Sequence, residues 1–243
     1  LLAEDGILSF VLPKSFTNCL YYDNTRNFIN ENYTILNIEN CDDKYIETKQ
    51  ETITFVIQNK KPQKKNKFVL KINNFTIFGS KKMIAKIKKL YKNSTNLDKL
   101  GFTVNVGNVV WNQCKDILTT DSTQTRLIYA SDISNKQLGC KQYKNEQKKN
   151  YINKEGENKP LLVLNRGYGV GTYNFEYCLI NCDFDYLIEN HLVCIRSKEN
   201  KPDDILIAMY KKIMSSFENE KTKEFIKLYF GNSAVNTTEL IFI

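Results

Sequence analysis

Trp111, the chain's one tryptophan, opens the run Trp-Asn-Gln-Cys-Lys, which sets two amides, Asn112 and Gln113, and the cation of Lys115 beside an indole. Side-chain amides present a donor and an acceptor that match an adenine edge, a guanidinium matches guanine O6 and N7, and an ammonium neutralises phosphate. Arg126 and Tyr129 fall in the next strand expected from the pattern, so residues 101–133 are the stretch around which the chain is organised. A second group of these types lies at 165–173, where Asn165, Arg166, Tyr168 and Tyr173 are interleaved with Gly167, Gly169 and Gly171. Glycines at alternate positions let a backbone turn tightly or approach something closely. They do not make a dinucleotide fingerprint, which needs G-x-G-x-x-G between a strand and a helix. On spacing alone, the first stretch also suits a buried tryptophan at a strand end, and the second a plain hairpin turn.

Other chemistries are poorly supplied. The seven cysteines are scattered, and Cys178 and Cys182, the one close pair, lack a nearby histidine to complete a zinc site. They read as free, mostly buried thiols in a reducing compartment, and the expected location is the cytoplasm of a bacterial or virus-infected cell. His191, the sole histidine, reads as a structural residue at a strand start. Four Asn-x-Thr sequons, at Asn32, Asn74, Asn93 and Asn236, are what an Asn-rich chain produces by chance. No apolar run reaches 18 residues, which argues against a membrane partner. The opening Leu-Leu-Ala-Glu-Asp-Gly reads as a helix end entering a strand, so the 243 residues are expected to be a piece of a longer protein.

Charge is concentrated. The net charge is +8, yet residues 60–92 hold twelve lysines and no acid, which leaves the rest of the chain at −4. Such a block suits a polyanion partner, or else a solvated lysine-rich face. Within it, Ser80 caps a helix whose Met83, Ile84, Ile87, Leu90 and Tyr91 share one face, while Lys81, Lys82, Lys88 and Lys89 take the others and could follow a phosphate backbone.

The elements that would position these residues follow from periodicity. Residues 6–13, a nearly continuous apolar run closed by Pro13, predict a strand buried on both faces of a parallel sheet. Ser15 is the expected cap of a helix carrying Phe16, Leu20, Thr25 and Phe28 on one face, and strands follow at 33–38 and 51–58. The basic Lys-Lys-Pro-Gln-Lys-Lys-Asn-Lys after them reads as a domain linker. Beyond it come a strand pair over 68–80, strands at about 102–111 and 125–130, an exposed loop at 139–160, a hairpin over 161–180 and a strand at 190–198. Helices are expected at about 204–217 and 221–230.

Leu1, Leu2, Gly6, then Phe10-Val11-Leu12-Pro13 with Ser15 and Phe16, then Tyr22 and Arg26 four residues apart, form a pattern that resembles the gamma-class N6-adenine DNA methyltransferases of the TaqI type. The resemblance covers essentially the whole chain, and it implies that the tail, residues 232–243, is a short polar turn leading into a last apolar strand. It implies an α/β remnant, the end of a Rossmann-like methyltransferase sheet, at 1–62, followed by an α+β, strand-rich DNA target-recognition domain at 63–243. It also implies S-adenosylmethionine as cofactor, double-stranded DNA as partner, a monomer, and a role within restriction-modification. The family's Gly-rich cofactor turn and its Asn-Pro-Pro-aromatic catalytic motif are absent from this sequence, so no catalytic residue is assigned and the chain alone is expected to be inactive. The family's base-stacking aromatic falls by register near Gln58, with Phe55 the nearest ring, and neither is assigned. A non-catalytic DNA-binding specificity module is the main alternative, and an RNA-binding or degenerate relative of the enzyme the third. The resemblance adds weight to a DNA-facing role for the Asn165–Gly171 tip.

Overall fold

Three antiparallel strands, β1 (Ile7–Pro13), β2 (Thr34–Cys41) and β3 (Thr52–Gln58), form the first sheet in the order β1-β3-β2. The computed structural model describes residues 2–41, 51–63, 65–72, 75–166, 176–230 and 235–243. Strict alternation in β3 turns Ile53, Phe55 and Ile57 to one face, where they are buried with Ile35, Ile38, Phe16 and Phe78. Phe55 stacks on Phe78 at 5.7 Å between ring centroids, and Phe16 meets Phe55 edge-on. Phe55 is therefore fully interior and has no face left for a base. Contrary to the expected parallel, doubly covered strand, β1 pairs antiparallel and lies at the sheet edge with Ile7 62% and Val11 60% exposed.

Residues 14–22 form two short 3₁₀ turns, not the start of a long helix, and Ser15 makes no cap. Helix α1 begins only at Asp23 and runs Asp23–Asn32, so Leu20 and Phe28 stay exposed. A hairpin of β4 (Val69–Ile72) and β5 (Phe75–Phe78) leads into α2 (Lys81–Tyr91). The Ser80 Oγ accepts from the Met83 amide at 3.2 Å and caps α2 as the sequence predicts. Arg26 ties these pieces together from a fully buried position. Its Nε donates to Thr76 O at 2.5 Å, its Nη1 to Phe16 O and Cys19 O at 3.0 and 2.7 Å, and its Nη2 to Asp23 Oδ1 at 3.3 Å.

By packing, the chain divides into Leu1–Ser94 with Glu224–Asn232, and Thr95–Lys223 with Ser233–Ile243. In this packing division the residues that follow Pro62 stay with the first unit, because Phe68, Val69 and Phe78 belong to the core of the first sheet. The lysine-rich stretch between β3 and β4 is no free linker at its ends. Thr34 Oγ1 donates to Lys60 O at 2.9 Å, and Asn66 Oδ1 accepts from the Phe68 amide at 3.0 Å.

The second unit holds two four-stranded sheets. One is antiparallel, in the order β13 (Tyr177–Ile180), β12 (Leu161–Asn165), β15 (Leu192–Ser197), β6 (Phe102–Val106). The other runs β14 (Tyr186–Ile188), β8 (Thr125–Ile128), β11 (Tyr151–Ile152), β7 (Leu118–Thr119), with β14 and β8 parallel. Ile128, Tyr186 and Ile188 from the second sheet meet Leu161, Val163, Cys178 and Cys194 from the first in one core. A small hairpin, β9 (Ile133–Ser134) with β10 (Gln137–Leu138), follows β8. Helix α3 (Asp203–Glu218) buries Leu206, Tyr210, Ile213 and Phe217, and α4 (Glu220–Tyr229) follows it in the chain.

Three expectations change here. The strand predicted over 102–111 stops at Val106, and at Gly107, where a Cβ would lie 2.3 Å from Glu189 O, the chain makes a close approach that only glycine permits. The stretch 139–160 is not wholly an exposed loop, since Ile152 in β11 is fully buried. The tail forms a short helix, α5 (Thr237–Leu240), in place of the expected strand, with Asn236 Oδ1 accepting from the Glu239 amide.

Candidate nucleic-acid interface

Val109 is held by a parallel bridge to Glu189, and directly after it Trp111–Gln113 turn as a short 3₁₀ segment. That turn leaves Trp111 half-buried and Asn112, Gln113 and Lys115 exposed. The side-chain amides of Asn112 and Gln113 take no hydrogen-bond partner among the described residues, so both are available to an outside edge. Lys115 is engaged twice: its Nζ donates to Gln147 Oε1 at 2.8 Å and lies 5.8 Å from the Trp111 ring.

Lys148, which no sequence pattern singles out, completes the group. Its ammonium sits 4.1 Å from the ring centre of Tyr129, 4.2 Å from that of Tyr143 and 5.8 Å from that of Trp111. Three aromatic faces around one cation form a cage, in which ring quadrupoles replace part of the lost hydration. Burial pulls the Lys148 pKa down, opposed by the nearby charges of Glu189 and Asp132. No local period could have announced this arrangement, because Lys148 is far from Trp111 in the chain and its own segment is polar.

Arg126 and Tyr129, both expected to face DNA, are interior. The Arg126 guanidinium is paired with Asp132 Oδ2 at 3.2 Å and reaches Asn150 O at 3.2 Å and Gly139 O at 3.5 Å. Asp132 also accepts from the Tyr129 amide and from the Tyr143 hydroxyl, each at 3.0 Å. Tyr129 is buried and donates to Lys149 O at 2.8 Å, and burial raises its pKa and that of Tyr143. These two residues hold the 139–150 segment in place, and their burial keeps both from a base edge. The physical reason is the buried Asp132 carboxylate, which demands a cation and several donors.

The hairpin of β12 and β13 forms as predicted, with Leu161–Leu164 in register with Tyr177–Ile180. Asn165 ends β12 and Arg166 follows it. The Arg166 carbonyl accepts from the Val235 amide at 2.7 Å, while Asn165 Oδ1 and Arg166 Nε are shielded and lack a partner among the described residues. Glu176, the acid that could have held Arg166, instead accepts from the Lys136 amide at 3.3 Å. Gly167, Tyr168, Gly169 and Tyr173 lie outside the described residues. In the turn before β15, His191 Nδ1 is 2.5 Å from the buried Glu189 carboxylate, and its ring is 60% exposed.

Lys81, Lys82, Lys88 and Lys89 belong to the first unit, on the exposed faces of α2, whose Ile84 and Ile87 point inward. Among the described residues no group of three or more His, Cys, Asp or Glu side chains is placed to hold a metal. No helix among them is long and apolar enough to cross a membrane.

No protein-family model matches the chain. Over 97% of its length it is similar to a type II methyltransferase, M.CvrRI, of Paramecium bursaria Chlorella virus XZ-6E, at 22% identity across 248 residues. The chain spans 58% of the length of that relative.

Proposed function

We propose that the chain is the C-terminal part of a gamma-class DNA adenine-N6 methyltransferase, and that its main task is to bind and read the DNA target. The observation that carries this reading is the similarity to a type II methyltransferase along nearly the whole chain, with more than a third of the relative left unmatched. The α/β sheet of the first unit would be the end of the methyltransferase domain, and the strand-rich second unit the target-recognition domain. The exposed edge of β1 suits this: its apolar residues are the kind of surface that a further strand covers, and an uncovered apolar edge is a liability.

Within this reading the cofactor is S-adenosylmethionine, which supplies the methyl group. The chain carries neither the Gly-rich turn nor the Asn-Pro-Pro-aromatic motif that would hold it and the target amine. The residues present therefore do not form its site, and no chemical step is assigned to them. Their work is to grip a duplex while a base leaves the stack, which costs a few kcal/mol. Asn112, Gln113 and Arg166 are the reading groups; the lysines of α2 supply sequence-independent hold.

Duplex binding by the 243-residue chain tests this directly. With about five phosphates neutralised, log K should fall with log salt at a slope of about −4 to −5. Replacing Lys81, Lys82, Lys88 and Lys89 by Gln should weaken all sequences alike. Radiolabelled methyl transfer by this chain alone, or an absence of duplex binding at low salt, would overturn the proposal.

A further inference from the structure

Between β2, the end of β3 and the start of α2 the first unit carries a cleft of about 380 Å³ that holds none of the reading groups. Its floor is partly apolar, from Ile35, Pro62 and Phe68, and its rim is basic, from Lys60, Lys61, Lys67 and Lys81. No acidic side chain among the described residues lines it. Lys60 is engaged with Asp5 at 3.2 Å, and the Lys81 ammonium lies 5.1 Å from the Phe68 ring centre. Lys61 and Lys67 make no ion pair among the described residues.

Two features fit this rim to an anion, a held backbone and an unbalanced charge. Thr34 fixes the Lys60 carbonyl and Asn66 fixes the Phe68 amide, so the lysines stand on a pinned backbone. The first turn of α2 contains Lys81 and Lys82 and no acid, the wrong charge for the positive end of a helix dipole. Cations gathered on one rim beside that dipole repel one another, and an anion seated among them relieves both costs. A volume of this size lies within the usual range for small-molecule sites and has room for one phosphorylated unit, with polar groups at the rim and apolar atoms beneath.

We infer that the cleft bounded by Lys61, Lys67 and Lys81 is a phosphate-binding site. The inference rests on the DNA-reading proposal for its source of phosphate, a strand of the bound duplex, but its chemistry is shared with free polyphosphates.

The experiment compares the chain with a triple variant, Lys61→Gln, Lys67→Gln and Lys81→Gln, and with a control triple, Lys99→Gln, Lys211→Gln and Lys227→Gln, none of which lines the cleft. Two probes are titrated, a fluorescein-labelled duplex over a salt series and inorganic tripolyphosphate by calorimetry, and circular dichroism melting checks that both variants fold. Removing three ammonium groups that each neutralise a phosphate should lower the salt slope by about 2.7 and weaken duplex binding at least tenfold, with a smaller change in the control. Loss confined to tripolyphosphate would keep the cleft as a site for free phosphates. If neither probe loses more affinity in the cleft triple than in the control, the inference is overturned. If the unmodified chain binds no duplex at all, the DNA-reading proposal fails, and the tripolyphosphate arm still decides the cleft.

Discussion

Arg26, Arg126 and Arg166 share a guanidinium, and what each faces sets its role. Arg26, fully buried, donates to three carbonyls and Asp23, so it welds the 14–22 turns to β5. Removing one partner of a buried, hydrogen-bonded ion pair costs about 3–5 kcal/mol. Arg26→Ala should therefore lower the stability of the first unit by that order in urea unfolding followed by circular dichroism. Arg26→Lys should recover only part of it, because an ammonium lacks the planar fork. Arg166 differs in that its Nε has no partner among the described residues and Glu176 is engaged elsewhere. A bidentate base contact is worth about 1–3 kcal/mol of discrimination. In selection from a randomised duplex pool, Arg166→Ala should lower enrichment of the preferred sequence about tenfold, with less effect on non-specific affinity. A lower melting temperature with unchanged selectivity would assign Arg166 a purely structural role.

At the scale of elements, β9 and β10 meet through Asn135 and Lys136, whose φ values of 52° and 63° make the two-residue turn that suits a twisted hairpin. Lys136 then reaches Glu218 at the end of α3 at 2.6 Å, and the Tyr177 hydroxyl of β13 donates to the same carboxylate. The Lys136 bond first, and then the Tyr177 bond, hold the Glu218 pKa below its ordinary 4.5. A carboxyl depressed on folding contributes stability that is present above its unfolded value and is lost as pH falls through the folded one. Amides of the hairpin should accordingly exchange faster, relative to the β12 amides, once the medium is acidified below that ordinary value. Glu218→Gln should show the faster exchange at neutral pH and no further change on acidification.

For the whole molecule, the open edge of β1 is the feature with the widest consequence. Ile7, Leu8, Phe10 and Val11 are exposed on a strand with one unpaired side among the described residues. An apolar strand left this way invites pairing with another chain. The chain on its own should bind an environment-sensitive apolar dye and associate as its concentration rises. Ile7→Lys with Val11→Lys should reduce both, as measured by dye fluorescence and light scattering, and a persistent signal would place the sticky surface elsewhere. The same double variant should leave duplex binding intact or slightly stronger, because β1 carries none of the proposed reading groups.

Much of the architecture was legible because its signals are local. Alternation in Thr52–Gln58, the Ser80 cap with the apolar face of α2, the β12–β13 hairpin and the Asp203 helix start are each written within a few residues, as pleat and helix periods require. The candidate reading amides after Trp111 were legible for the same reason, as side-chain types at a strand's end. The tertiary structure decided which cations are free. Arg126 turned inward because Asp132, buried by the surrounding fold, needed its charge, and Lys148 entered the cage because distant rings converge on it. It also put β1 at an edge and the lysines after β3 around a cleft. A charge or an apolar run in a sequence states what a residue can do; burial and long-range partners, which no local pattern encodes, determine what it does.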